Sequence, residues 1–233
     1  MIVEDIAGFL DRGQIVDLSK KVSPGSASGP FETGARMYKI EPFLYPPGEL
    51  MHRISMESHI STHIEAPNHY VTPRYNRESK DISELPLAAF LGAATLVDCR
   101  ALPPRTAIGR EILGREGIKP KDIVLLGNST YAPGDRCFLA KDGAEFLVEK
   151  SVRMVGIDDT VYGENPEYRL RVFEKYFTHD LLLTHEIPFI EGLANLDELH
   201  AKRFFFMAIP AKMGGLEAFP VRAVAVVWTG DSR

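Results

Sequence analysis

Short apolar runs in the first part of the chain show the alternation that is typical of β-strands. Partly alternating segments occur at 14–18, 37–43 and 49–57, and a Pro/Gly-rich turn at 44–48 joins the last two. A Ser/Gly/Pro-rich segment at 19–30 predicts a loop after the first strand. The first part of the chain is therefore predicted to be rich in β-structure.

From position 94 onward, apolar strand patterns alternate with helical ones. Three runs predict buried strands, at Ala94–Asp98, Ile123–Leu126 and Val152–Asp158. A helix is predicted over 106–116, with Thr106 as its N-cap and Gly117 just beyond its end, and a second helix over 140–150. This order predicts βαβ units and a partly parallel sheet.

The next segment predicts an amphipathic helix over 167–184 and a short strand over 187–190 that ends at Glu191. His179 lies at the border of the apolar stripe of this helix. Because turns between helix and strand are short, His179 and Glu191 could converge. Each residue also has an ordinary explanation, since His179 could stabilise a helix C-terminus and Glu191 could bind a backbone turn.

Composition narrows the class of protein. A chain of 233 residues with 45% hydrophobic and 25% charged residues fits a single globular domain over residues 1–233. A net charge of −5 without a basic stripe gives no support for binding nucleic acid or an anionic membrane. Neither a membrane-length apolar run nor a basic leader is found, so we expect a cytoplasmic protein, in which Cys99 and Cys137 are buried free thiols.

Candidate chemistry is concentrated at 58–69, which holds three of the seven histidines. Imidazole and carboxylate groups together suit zinc, manganese or non-haem iron. A flat strand would hold His59 and His63 about 13 Å apart, too far for one ion. A helix would rotate Glu65 away from both, and Pro67 disfavours one. The segment is therefore predicted to bend, with a strand ending near His59, and to need a ligand from elsewhere.

The same segment resembles a motif of the cyclase family of metal-dependent hydrolases, to which bacterial kynurenine formamidase belongs. The family motif His-x-Gly-Thr-His-x-Asp-x-Pro-x-His stands here as His59-Ile-Ser-Thr-His63-Ile-Glu65-Ala-Pro-Asn-His69. Four further segments are similar to other family motifs, namely 15–19, 155–158, 179–182 and 190–196. The resemblance thus covers most of the chain.

The resemblance implies that His59, His63 and Glu65 bind a divalent metal, zinc or manganese. In two-metal members the carboxylate bridges to a second ion, which the residues matching His179 and Glu191 hold. Some relatives use a single manganese. One or two ions are therefore expected.

The residue matching His69 is the general acid/base, which implies hydrolysis of an amide-type bond in a small molecule such as an arylformamide, a lactam or a cyclic imide. Thr62 could orient a ligand through its hydroxyl group or be an ordinary strand residue. Asp158 could hold a metal-bound histidine or cap the turn after its strand. The implied fold is α/β, a swivelling β/β/α domain with a mixed central sheet flanked by helices, and the implied assembly is a homodimer or larger.

Two positions depart from the family pattern. Glu65 replaces the usual aspartate, which adds about 1.5 Å of reach. Ser61 replaces the usual glycine and adds a Cβ where the backbone could need an unusual φ. These changes leave two alternatives to the hydrolase: a catalytically altered protein that binds a metal or small ligand, and a metal enzyme that isomerises or dehydrates its substrate.

Overall fold

The computed structural model describes residues 2–24, 37–69, 79–167 and 177–228. The strands of these segments are β1 (Gln14–Asp17), β2 (Tyr38–Tyr45), β3 (Glu49–Met56), β4 (His63–Glu65), β5 (Leu91–Asp98), β6 (Ala107–Ile108), β7 (Ile123–Gly127), β8 (Cys137–Leu139), β9 (Met154–Asp158), β10 (Val161–Tyr162), β11 (Phe189–Leu193), β12 (Arg203–Ala208), β13 (Ala218–Pro220) and β14 (Ala223–Val227). The α-helices are α1 (Ile2–Arg12), α2 (Arg110–Gly114), α3 (Lys141–Glu149) and α4 (Phe177–Thr184).

A nine-stranded mixed sheet forms the centre of the molecule, in the order β1-β14-β12-β5-β7-β9-β11-β4-β13. The middle strands β5, β7, β9 and β11 run parallel, whereas the flanking pairs are antiparallel. The predicted βαβ units are therefore confirmed, and so is the α/β fold with a mixed central sheet. β4 lies between β11 and β13, close to one edge.

Both faces of the parallel strands are buried, which explains why their sequences read as continuous apolar runs. Along β7, Ile123 and Leu125 pack into one core cluster, whereas Val124 and Leu126 pack into the other. The second cluster also contains buried side chains of α2, α3 and α4. Helices thus cover one face of the sheet.

A separate two-stranded hairpin, β2 and β3, carries large apolar side chains that are exposed, among them Leu44, Leu50 and Ile54. Both cysteines are free and buried, as expected. The described helices contain at most 11 residues, and none of them could cross the apolar core of a bilayer.

Several predicted boundaries were wrong. The helix predicted from 106 begins at Arg110, because the Thr106 hydroxyl donates to the Pro103 carbonyl instead of capping a helix, and 107–108 form β6. The strand predicted to end near His59 ends at Met56. Of the helix predicted over 167–184, α4 accounts for 177–184, and 168–176 lie outside the described residues.

Candidate metal centre

The short strand β4 presents two of the predicted ligands on one face of the sheet. His63 and Glu65 are two residues apart, so their side chains share a face, while Ile64 points to the opposite core cluster. Both are buried, at 0% and 3% exposure. His63 lies opposite Glu191 in the register with β11, so Glu191 stands within that strand and not at its end as predicted. Pairing of β4 with β11 brings these three side chains together.

The chain bends just before β4, as the separation of His59 and His63 requires. Ser61 has a φ of 58°, in the left-handed region, which agrees with the family's preference for glycine there. At the bend the backbone of β11 comes very close, because a Cβ built on Gly192 would lie 2.6 Å from the Ser61 carbonyl oxygen. Gly192 itself has a φ of 70°. The bend carries His59 back toward β4.

One oxygen of Glu65 faces three imidazoles. Glu65 Oε1 lies 3.1 Å from His59 Nδ1, 3.6 Å from His63 Nε2 and 3.7 Å from His69 Nε2. His59 Nδ1 lies 3.1 Å from His63 Nε2. His69 belongs to a 3₁₀ turn over Pro67–His69 that follows β4, and its side chain is 27% exposed. It therefore stands at the rim of the cluster, within reach of both Glu65 and solvent.

The other oxygen of Glu65 faces the second half of the site. Glu65 Oε2 lies 3.7 Å from His179 Nε2, which in turn is 3.5 Å from Glu191 Oε1. His179 is in the first turn of α4, and its ring packs against Phe189 with centroids 4.5 Å apart. The ligands predicted from the distant part of the chain thus meet those of the 58–69 segment, and Glu65 lies between the two groups.

In each of the three histidines predicted to bind metal, the ring nitrogen that faces away from the cluster has its own partner. His63 Nδ1 is 3.0 Å from the Ser61 carbonyl oxygen, so it donates to that oxygen. His59 Nε2 is 3.3 Å from Glu217 Oε1, and His179 Nδ1 is 3.2 Å from Glu164 Oε1. Such outer partners fix the tautomer and the ring orientation of metal-binding histidines.

Sequence reasoning missed Glu164 and Glu217. Glu217 lies in the segment before β13, more than 150 residues beyond His59, and also accepts a hydrogen bond from the Ser58 hydroxyl. Only knowledge of the β4–β13 pairing, which aligns Ala218 with Glu65, could have identified it. Glu164 stands in a loop after β10 with no surrounding motif, so nothing in the sequence marks it.

Without metal, the electrostatics of the cluster favour the charged forms of Glu65, His63 and His179 but the neutral form of His69. Burial opposes ionisation of Glu65, but the surrounding histidines outweigh it and hold the pKa of this carboxyl well below its usual range. Burial also opposes protonation of His63 and His179, yet nearby carboxylates raise the pKa of both imidazoles. Burial lowers the pKa of His69, with the neighbouring His59 and His179 adding to the effect. His69 is thus neutral at neutral pH.

The residues present fit a divalent metal. In tetrahedral coordination, ligand atoms about 2.0 Å from an ion lie about 3.3 Å from one another, close to the separations of 3.1–3.7 Å at Glu65. Glu65 Oε2 is buried without a hydrogen-bond partner among the described residues, which an ion would satisfy. Within the described part of the chain, two groups could hold a metal: His59 with Glu65 and His69, and His63 with Glu65 and Glu191.

Two further predicted residues have other contacts. The Thr62 hydroxyl donates to the Gly192 carbonyl and accepts from the Lys20 backbone N–H, so it ties together the segments that carry His63 and Glu191. Asp158 accepts hydrogen bonds from the backbone N–H and hydroxyl of Thr160, in the turn that follows its strand, and from the backbone N–H of Asn128, just after the neighbouring strand β7.

Asp158 lines a cleft of about 380 Å³ at the carboxyl ends of the parallel strands. The residues that line this cleft include none of the six that form the ligand cluster, namely His59, His63, Glu65, His69, His179 and Glu191. Of the two roles considered for Asp158, its hydrogen bonds match the capping of a turn and not the support of a metal-bound histidine.

This chain belongs to the cyclase family. The family's sequence model, described as "Putative cyclase", matches residues 16–162, well over half of the chain. The matched range includes β4, His59 and His69. The likeness predicted from the histidine motif is therefore confirmed.

Solved structures share the fold over almost the whole chain. Isatin hydrolase A from Labrenzia aggregata, bound to benzyl benzoate, is 23% identical with a TM-score of 0.77, covering 98% of this chain and 100% of that chain. Isatin hydrolase A from Ralstonia solanacearum is 22% identical with a TM-score of 0.76, covering 97% of each. A protein from Bacillus stearothermophilus, described as a predicted metal-dependent hydrolase, is 24% identical with a TM-score of 0.68, covering 92% and 98%.

Proposed function

We propose that this protein is a metal-dependent hydrolase that cleaves an amide-type bond in a small molecule. The observation that carries the proposal is the convergence of His59, His63 and His179 on the two oxygens of Glu65, with His69 at the rim. Membership of the cyclase family and the fold shared with isatin hydrolases support it. The substrate classes that we infer are arylformamides, as for a kynurenine formamidase, lactams and cyclic imides.

The ligands of the ion are assigned by the orientation of their side chains. His59 presents Nδ1, His63 and His179 present Nε2, and Glu65 and Glu191 present carboxylate oxygens. Imidazole with carboxylate suits zinc or manganese, and Glu65 has one oxygen for each half of the site. When bound, a divalent ion would supply Lewis acidity, lowering the pKa of water toward about 7 and polarising a carbonyl group.

His69 is the group that we assign to proton transfer. Its neutral imidazole can accept a proton from water at neutral pH, and its partial exposure lets it reach a substrate. The resulting imidazolium can then return the proton to the leaving nitrogen. Glu65 lies 3.7 Å from His69 Nε2, so its negative charge stabilises the protonated ring between the two steps.

The test combines metal analysis with a substrate screen. Purified protein would be stripped with a chelator, reloaded with Zn²⁺ or Mn²⁺, analysed for metal content and assayed against N-formyl aromatic amines, lactams including isatin, and cyclic imides. We expect stoichiometric metal and metal-dependent turnover of at least one class. His63→Ala should lose both, whereas His200→Ala, which removes an exposed imidazole, should lose neither.

Two outcomes would contradict the proposal. Bound metal without turnover of any class would instead favour a binding protein on the same scaffold. Absence of stoichiometric metal under every loading condition would contradict the metal centre itself.

We also propose that the protein forms a homodimer or a larger homo-oligomer in the cytoplasm. The exposed apolar side chains of the β2–β3 hairpin support the assembly, because a two-stranded hairpin is marginally stable on its own. Light scattering coupled to size-exclusion chromatography would measure the mass. A monomer at micromolar concentration would contradict the proposed assembly without affecting the metal centre.

A further inference from the structure

Glu164 lies outside the ligand cluster and makes three contacts, two with the cluster member His179 and one with its neighbour Thr178. Its Oε1 accepts the backbone N–H groups of Thr178 and His179, each at 2.8 Å, and lies 3.2 Å from His179 Nδ1. The Glu164 side chain is buried, at 7% exposure. We propose that Glu164 is a positioning residue that selects the tautomer of His179 needed for metal binding. This inference rests on the proposed function.

Carboxylates lie near both ring nitrogens of His179, and each set favours a proton on the nitrogen that it faces. On the cluster side, Nε2 faces Glu191 Oε1 at 3.5 Å and Glu65 Oε2 at 3.7 Å, and both would accept a proton from it. On the outer side, Nδ1 faces only Glu164 among the carboxylates within salt-bridge distance in the described residues. A neutral imidazole carries one N–H proton. This proton must be on Nδ1 if Nε2 is to offer a lone pair to an ion.

The residues packed around the His179 ring limit its rotation, so a turned-over ring is not an easy alternative to a change of tautomer. Gly163 packs so closely against the ring that a Cβ built on it would lie 2.9 Å from His179 Cε1, and the Phe189 ring packs against the imidazole with centroids 4.5 Å apart. These contacts restrict rotation of the imidazole. Since the ring cannot easily turn over, the position of its proton decides which nitrogen can bind metal.

Glu164 also fixes the place from which His179 projects. The two backbone N–H groups that it accepts belong to the first turn of α4, where such groups lack partners within the helix. A second tie exists, because the Thr178 hydroxyl donates to the Gly163 carbonyl. The start of α4 therefore keeps one anchor when Glu164 is truncated, and the effects on helix and tautomer can be separated by choice of substitution.

Glu164→Gln and Glu164→Ala separate these effects. The glutamine amide oxygen can still accept the backbone N–H groups of α4, but without a charge it holds the Nδ1 proton less strongly. Alanine removes all three contacts. We expect metal affinity to fall in both variants, by about 10-fold to 100-fold in the alanine variant, which is the range seen when outer partners of ligands are lost.

The decisive measurement is the tautomer of His179 in protein labelled with ¹⁵N in its imidazoles. It would be recorded without metal, at a pH where the ring is neutral, and again with Zn²⁺, with the signal assigned by its loss in His179→Gln. We expect an Nδ1–H tautomer in the wild type and a shift toward Nε2–H in both variants without metal. Glu217→Gln removes a carboxylate next to His59 and should leave the His179 tautomer unchanged.

Zn²⁺ affinity, measured by competition with a chelator, and thermal unfolding complete the test. Glu167→Gln serves as the control, because Glu167 is exposed and pairs with Arg105 at the surface. A purely structural Glu164 would lower the unfolding temperature and leave tautomer and affinity as in the wild type, which would overturn the proposal. If the wild type binds no metal, the proposed function fails, but the metal-free tautomer still tests Glu164.

Discussion

At the scale of single residues, Glu65 is where the two halves of the ligand cluster meet. Its Oε1 faces His59, His63 and His69, and its Oε2 faces His179. The extra methylene relative to the family's aspartate therefore does not turn the carboxylate away from either half. Because β4 pairs on both sides, with β11 and with β13, the backbone of Glu65 has little freedom to move toward an ion.

Glu65→Asp should consequently weaken metal binding, even though aspartate is the usual family residue. The carboxylate would withdraw by about 1.5 Å from contacts now at 3.1–3.7 Å. We expect the dissociation constant for Zn²⁺ to rise at least about tenfold, the lower bound for losing an outer partner. Glu41→Asp, which shortens an exposed glutamate of the hairpin, is the control. Equal affinities in wild type and Glu65→Asp would show that β4 adapts to the shorter side chain.

His69→Ala distinguishes a proton-transfer group from a ligand. We expect metal content near that of the wild type and turnover lower by about 10²–10⁴-fold, the usual contribution of general acid/base catalysis. The comparison matters because His69 Nε2 lies within ligand range of His59 and Glu65. Metal analysis and steady-state kinetics on the same preparation give both quantities. Parallel loss of metal and activity would make His69 a ligand.

At the scale of elements, the sequence predicted the set of side chains that the structure brings together better than it predicted their arrangement. The distance between His59 and His63 requires the bend found at Ser61, but the predicted strand ended near His59, so the strand over His63–Glu65 that places both side chains on one face was not predicted. The position of β4 inside the sheet could not be predicted, because three residues carry no pairing signal. Glu164 and Glu217 were missed for the same reason, since tertiary pairing alone brings them to the histidines.

The close approach of β11 to the bend gives a prediction for Gly192. The Cβ of an alanine at this position would lie 2.6 Å from the Ser61 carbonyl oxygen. This clash adds to the free-energy cost of holding alanine at a φ of 70°. Gly117 has a φ of 71° with no atom within 4 Å, so Gly117→Ala measures the backbone cost alone, about 1–2 kcal/mol. We expect Gly192→Ala to lower the free energy of unfolding by about 1–3 kcal/mol more.

Denaturant unfolding of both glycine variants, without metal, measures that difference, and metal titration adds a second readout. Displacement of Ser61 and Glu191 should weaken metal binding in Gly192→Ala, whereas Gly117→Ala should bind metal as the wild type does. Equal destabilisation by the two substitutions would argue that the bend relaxes away from β11 at no cost.

At the scale of the whole molecule, the central sheet could be predicted from the apolar runs in the sequence. The buried parallel strands produce long apolar runs, and their two-sided burial is visible in β7, where successive residues enter opposite clusters. The predicted start of α2 at Thr106 was wrong, because the Thr106 hydroxyl donates to the Pro103 carbonyl instead of capping a helix, and helix propensity cannot decide between these two hydrogen bonds. Burial patterns are thus predictable from the sequence, whereas the choice between competing local hydrogen bonds is not.

The ligand cluster should also make the stability of the whole molecule depend on pH. As pH rises, the metal-free protein should lose stability, whereas the stabilisation by bound metal should increase. The pKa values of His63 and His179 are raised in the metal-free protein, so their stabilising contribution is full below the unfolded value of 6.5 and is lost as pH rises through the folded pKa. The pKa of Glu65 is lowered, so its contribution is present above 4.5 and is lost as pH falls through the folded pKa. Metal-free protein should therefore lose stability as pH rises above 6.5.

Metal binding requires neutral imidazoles, so it strengthens over the same pH range in which the metal-free cluster weakens. At 100 times the dissociation constant, a ligand adds about 2.7 kcal/mol to the free energy of unfolding. We expect the stability difference between Zn²⁺-loaded and chelator-treated protein to widen as pH rises above 6.5 and through the raised pKa values of the two histidines, where they lose their protons. Urea unfolding of both forms across that range measures the difference, and parallel curves would show that His63 and His179 do not release protons to the metal.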